Sequence, residues 1–96
     1  MSDEPIKRRQ LRAKNRAIEI LRQAGYEIVR SDNEKVCVIG ARDVELRVIR
    51  ICVDKVTPAD IDILRKMRFL RAATVSREAW CFDGRNFDIR EIPVKY

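Results

Sequence analysis

The sequence predicts an α/β domain in which a mixed central sheet is flanked by helices. Three observations carry this. Residues 6–24 repeat apolar side chains at helical spacing and stop at Gly25. Residues 44–53 form the longest β-branched run in the chain, with apolar residues on both faces toward its end, as in a strand covered on both sides. Thr57-Pro58-Ala59-Asp60 reads as a helix start set between strand patterns, so a helix connects successive strands.

The elements follow in order. Residues 1–5 are expected to be a flexible tail. In the first helix, Leu11, Ala13, Ala17, Ile18, Ile20, Leu21 and Ala24 fill one half of the wheel at about 100° per residue. Arg8, Arg9, Arg12, Asn15, Arg16, Glu19, Arg22 and Gln23 fill the other half. Lys14 falls inside the apolar arc, between Leu11 and Leu21, which requires either a stem lying along the core edge or a polar site on the inward face. A short strand at residues 26–30 and a polar turn at residues 31–34 come next.

Two strands follow, residues 36–39 and 44–53, with a tight turn expected at Gly40-Ala41-Arg42-Asp43. In the second, Val44, Leu46 and Val48 alternate with Glu45 and Arg47, as in a half-exposed strand. The parity then changes, and Ile49, Ile51 and Val53 alternate with Arg50 and Cys52. An arginine and a cysteine on one face of a covered strand call for an explanation. The second helix has Thr57 as N-cap and Pro58 in its first turn, and runs to about residue 70 with Ile61, Ile63, Leu64, Met67 and Leu70 inward. Its end, with Arg65, Lys66, Arg68 and Arg71, is basic. A final hairpin takes residues 76–82, turns at Asp83-Gly84-Arg85, and returns over residues 86–92 before Pro93.

Ninety-six residues are expected to form a single small domain. Lys and Arg number 21 against 15 Asp and Glu, a net charge of +6 that favours an anionic partner, nucleic acid being the commonest. No signal peptide or membrane-spanning run is visible, so a cytoplasmic location without a membrane partner is expected. The three cysteines have no CxxC spacing and read as reduced and structural. Without any histidine, nucleophile chemistry that relies on a histidine base is excluded, and a zinc site would lack its fourth ligand.

The segment from Ala17 to Ser31, a helix ending in Gly25-Tyr26 and a strand ending in Arg30-Ser31, resembles the opening of PD-(D/E)XK nucleases. The nearest branch is the small one that includes archaeal Holliday-junction resolvases and related phage nucleases. Arg77-Glu78-Ala79-Trp80-Cys81-Phe82 is similar to that branch's penultimate strand, and the order helix-strand-strand-strand-helix-strand-strand over residues 10–92 is the family's core order. The resemblance therefore implies a restriction-endonuclease-like core. It also implies a metal site: a Glu in the first helix, an Asp on the second strand, and an acid or Gln, a spacer and a Lys on the third. In this chain those positions hold Lys14, Cys37, Arg50 and Cys52. Hard divalent cations need oxygen ligands, so this register implies a degenerate site with no metal, no cofactor and no catalysis.

A competing register draws an active, Mg-dependent endonuclease from Glu19, Asp43, Asp54 and Lys55. Against it, Glu19 lies on the outer helix face, Asp43 lies in a turn, and Asp54 and Lys55 are adjacent and point to opposite faces. The first five elements also have the order of a double-stranded-RNA-binding domain, but the second helix starts acidic rather than basic. A third class is a protein-protein module, such as a homodimer pairing through an edge strand, with Trp80 or Phe69 as an anchor. For nucleic acid the expected contacts are Lys7, Arg8, Arg9, Arg12 and Arg16, spaced along one side of the first helix to meet phosphates.

Overall fold

In the computed structural model, which describes residues 6–32, 37–67 and 74–93, five strands form one mixed sheet with two helices packed on it. The order is α1 (Ile6–Gln23), β1 (Glu27–Asp32), β2 (Cys37–Arg42), β3 (Glu45–Val53), α2 (Pro58–Lys66), β4 (Thr74–Phe82) and β5 (Phe87–Glu91). The strands lie side by side in sequence order. β1, β2 and β3 form an antiparallel meander, β3 and β4 run parallel, and β4 and β5 close an antiparallel hairpin. The one parallel pair follows from α2, which carries the chain back to the starting end of the sheet.

Helix α1 ends in a Schellman motif. Gly25, at φ 89°, donates to the Arg22 carbonyl, and Tyr26 N–H reaches back to Leu21 O at 2.9 Å. The apolar arc read from the sequence faces the sheet: Ala13, Ala17 and Leu21 pack on Tyr26, Val38, Ile49, Ile51 and Trp80. On the other face, Leu64 of α2 packs with Val48, Cys52, Ala79 and Ile92. β3 therefore has a core on each side, as its change of parity predicts, and Val48, Ile49 and Ile51 are fully buried. Each such aliphatic side chain stabilises the fold by about 2 kcal/mol.

Several local expectations are corrected. The β2–β3 turn falls at Asp43-Val44 rather than at residues 40–43, with Asp43 at φ 55°. Gly40 lies inside β2, and a Cβ there would sit 3.4 Å from Leu21 Cδ1 and 3.5 Å from Tyr26 Cβ. This glycine lets the end of α1 approach the sheet closely rather than making a turn. Ser31 and Asp32 continue β1 instead of turning. Val44 is 69% exposed and Ile63 is only partly buried. Arg47 is not solvent-facing, as described below. Helix α2 ends at Lys66, short of the expected residue 70, because Met67 is already extended at ψ 130°. The expectations for residues 1–5, Asn33 and Glu34, and for Arg68, Phe69, Leu70 and Arg71, lie outside the described residues.

Helix α2 starts as its sequence predicts. Thr57 Oγ1 accepts from Asp60 N–H, and Asp60 Oδ2 accepts in return from Thr57 N–H at 2.8 Å, a complete capping box. Its last carbonyls are met from β4. Buried Arg77 donates from Nε to Leu64 O at 3.0 Å and from Nη2 to Met67 O at 2.9 Å, placing positive charge at the negative end of the helix.

Candidate functional site

The arginine and cysteine of β3 have a local explanation. Arg50 Nε donates to Asp60 Oδ1 at 2.9 Å, and both side chains are nearly buried. The other Asp60 oxygen accepts from the backbone and hydroxyl of Thr57. Burial opposes ionisation of Asp60, but the Thr57 and Arg50 donors outweigh it and hold the carboxyl below its usual range. Arg50 Nη1 is buried and has no hydrogen-bond partner among the described residues. Cys52, two residues on and facing the same way, packs into the α2-side core. Burial and the nearby Asp60 push its thiol up to about 12, so it stays protonated and poorly nucleophilic at neutral pH.

Among the four positions the resemblance singles out, three share one face. Cys37 is the cross-strand partner of Arg50 in the β2–β3 register, and Cys52 follows Arg50 on the same side of β3, toward α2. Lys14 is buried on α1, which packs against the opposite face. The two cations thus belong to different layers and do not form a single phosphate clamp.

On the α1 face lies a second ionic cluster that sequence reasoning missed. Arg47 makes a bidentate pair with Glu78, with Nε to Oε2 at 2.9 Å and Nη2 to Oε1 at 2.6 Å. Ser76 Oγ donates to Oε2 at 2.8 Å, and Trp80 Nε1 donates to Oε1 at 3.0 Å. The Arg47 guanidinium also lies 5.3 Å from the ring centres of both Tyr26 and Trp80. Burial opposes the Glu78 charge, yet these donors win and its carboxyl is held below its ordinary range. Arg47 is held charged by the same carboxylate. Glu78 thus accepts from three side chains, those of Arg47, Ser76 and Trp80. Local alternation could not reveal this pair, because its members are 31 residues apart and meet only through the β3–β4 pairing.

The competing acidic set is spread out. Glu19 pairs with Arg16 at 3.0 Å on the outside of α1. Asp43 precedes β3, whereas Asp54 and Lys55 follow it, so the two aspartates are separated by the strand's length, on the order of 30 Å. Asp54, at φ 72°, pairs with Arg9 at 2.9 Å. Lys55 is exposed.

Along α1, Arg8 and Arg12 are exposed, while Arg9 and Arg16 carry the ion pairs just described. Lys7 is in the helix, but its side chain is outside the described residues. Asp54 is a second counter-charge on this face that the sequence did not assign to it, since it arrives from the end of β3. Arg9 and Arg12 also line a small open pocket with Phe82 and Gly84, where α1 passes the β4–β5 turn. Asp83 shapes that turn by accepting from the backbone N–H of Arg85 and Asn86, both at 2.8 Å.

Among the described residues, no group of three or more His, Cys, Asp or Glu is arranged to hold a metal ion, and no helix is long and apolar enough to cross a membrane. Compared with protein-family models, curated proteins and solved structures, the chain matches none. The fold and site therefore define a small α/β domain with a five-stranded mixed sheet, two buried ionic clusters and an arginine-rich helix face.

Proposed function

We propose that the chain is a nuclease-like domain of the PD-(D/E)XK superfamily, with a restriction-endonuclease-like core, that has lost catalysis and acts as a basic nucleic-acid-binding or accessory protein. The observation that carries this reading is the engagement of Arg50. It stands where the resemblance calls for a metal-binding acid or amide, and its guanidinium is tied to Asp60. Asp60, the carboxylate beside it, has both oxygens engaged by Arg50 and Thr57, while Cys37 and Cys52 on the same face supply no oxygen. A Mg²⁺ ion does not fit this donor set. The order helix-strand-strand-strand-helix-strand-strand supports the reading.

Nucleic acid is held through its phosphates by the outer face of α1, with Arg8, Arg9, Arg12 and Arg16 in contact. Arg8 and Arg12 are exposed, and Arg9 and Arg16 exchange Asp54 and Glu19 for phosphate oxygens on binding. Losing a surface ion pair costs at most about 1 kcal/mol, so these pairs do not block that exchange.

The test has two arms. Duplex, four-way-junction and single-stranded DNA and RNA are titrated by fluorescence anisotropy at several salt concentrations. Binding that weakens with salt is expected, with a shallower slope for Arg8→Ala plus Arg12→Ala. Absence of binding at low salt overturns the nucleic-acid assignment. The same substrates are incubated with Mg²⁺ or Mn²⁺. No cleavage is expected, and metal-dependent cleavage lost on Asp54→Ala overturns the loss of catalysis.

A further inference from the structure

The two edges of the sheet differ. β1 is interrupted by a register shift between Ile28 and Arg30, where Val29 is left 62% exposed. Such a bulge makes an edge a poor template for another strand. β5 pairs with β4 without a shift from Phe87 to Glu91 and carries the half-exposed Ile89 at its centre. The direction of its outer polar groups can be deduced. Ile92 N–H donates to Arg77 O at 2.7 Å, and Asn86 O accepts from Asp83 N–H at 3.1 Å, so the polar groups of these residues point into the sheet. Peptide groups alternate in direction along a strand, so Asp88 and Arg90 also point inward. The N–H and C=O groups of Phe87, Ile89 and Glu91 then point outward, along an edge that pairs with no other strand among the described residues.

We infer that β5 is the interface for a second copy of this chain, joined antiparallel about a two-fold axis at Ile89 to give a continuous ten-stranded sheet. In that register Ile89 faces its own counterpart, and Phe87 faces Glu91 of the second copy in both directions. These are the residues whose N–H and C=O groups point outward and would exchange backbone hydrogen bonds across the two-fold axis. Asp88 faces Arg90 of the second copy, and Arg90 faces its Asp88, so both charged pairs are complementary. Among the described residues of one chain, neither Asp88 nor Arg90 has an ion-pair partner. Charges at a sheet edge ordinarily discourage pairing, but here the order acid-apolar-base is complementary to itself when reversed. The interface is isologous and closes at two copies, leaving the bulged β1 strands as the outer edges. Since the axis is perpendicular to the sheet, both α1 helices fall on the same face of the dimer. This assignment does not depend on the proposed nucleic-acid function.

Sedimentation velocity over a dilution series reaching high micromolar concentration tests it with the full chain. Wild type is expected to show a monomer–dimer equilibrium. Arg90→Asp sets an acid opposite Asp88 in both pairs and is expected to weaken dimerisation by about tenfold or more. Asp88→Arg combined with Arg90→Asp exchanges the charges and is expected to restore it. Ile89→Pro removes an outward N–H without touching the β4–β5 ladder and is expected to give a monomer. Circular dichroism checks that each variant is folded, and the restoring double variant separates lost pairing from lost structure. A monomeric wild type overturns the inference, as does a dimer indifferent to Arg90→Asp or failure of the double exchange to restore pairing.

Discussion

Arg50 Nε and Asp60 Oδ1 lie 2.9 Å apart, joining the middle of the central strand to the first turn of the crossover helix. The two ends of this contact are unequal. Asp60 retains the Thr57 donors if Arg50 is removed, whereas Arg50 has a buried Nη1 with no partner among the described residues and has little left without Asp60. Asp60→Ala is therefore expected to destabilise the fold by about 3 kcal/mol or more, from a stranded charge and a lost helix cap. Arg50→Met keeps much of the shape, removes the unpartnered donor and is expected to lose less. Urea unfolding of both variants measures the difference, and equal losses would contradict it.

Acid sensitivity follows from the two buried carboxylates. The native pKa values of Asp60 and Glu78 are depressed, because their donors outweigh burial. Unfolded carboxyls titrate near pH 4, so as pH falls the unfolded chain takes up protons first. The stability from these groups is present above that range and disappears as pH drops through the lower native values. Glu78→Gln is expected to lower stability at neutral pH and to flatten its loss below about pH 4. Thermal melts at stepped pH read out both effects.

Thiol accessibility gives a third check. Cys52 is buried, and the presence of Asp60 further disfavours its thiolate. Burial and surrounding aspartates also raise the Cys81 thiol. In native protein at neutral pH, Cys52 is expected to alkylate no faster than the chain unfolds, and to react promptly in denaturant. Mass spectrometry of timed iodoacetamide reactions assigns the sites. Rapid native labelling of Cys52 would contradict its placement beneath α2.

Gly40 sets the distance between α1 and β2. An alanine there would meet Leu21 and Tyr26 near van der Waals contact, so Gly40→Ala is expected to be mild. Gly40→Val adds atoms where none fit and is expected to cost about 1–3 kcal/mol by displacing the end of the helix. Comparing the two by chemical denaturation distinguishes close packing from a backbone requirement, under which both would fail alike.

The architecture was largely legible because its signals are local. Gly25 stops α1, Thr57 and Asp60 start α2, and β3 announces a doubly covered strand by its change of parity. The misjudged turn shows where such signals end. Gly40 resembles turn punctuation, but its role depends on Leu21, which reaches it only after the helix packs. The same holds for the site. Arg50 was visible as an anomaly, and its explanation, Asp60, was already assigned to the helix cap, a role it also fulfils. The pairing of Arg47 with Glu78, and of Arg9 with Asp54, required strand register and helix placement that no spacing rule supplies.

The parallel alignment of β3 and β4 also divides the molecule kinetically. On one side is a meander of neighbours in sequence, on the other a hairpin, and both can zip from their own turns. The seam between them joins strands separated by the intervening helix, so its closure is expected late on the folding route. Once closed, it presses both cores together, with Ile51 beside Trp80 on one face and Cys52 beside Cys81 on the other. The slowest amides to exchange in native protein are accordingly expected along this seam. The edge strands should open many times before the two halves part.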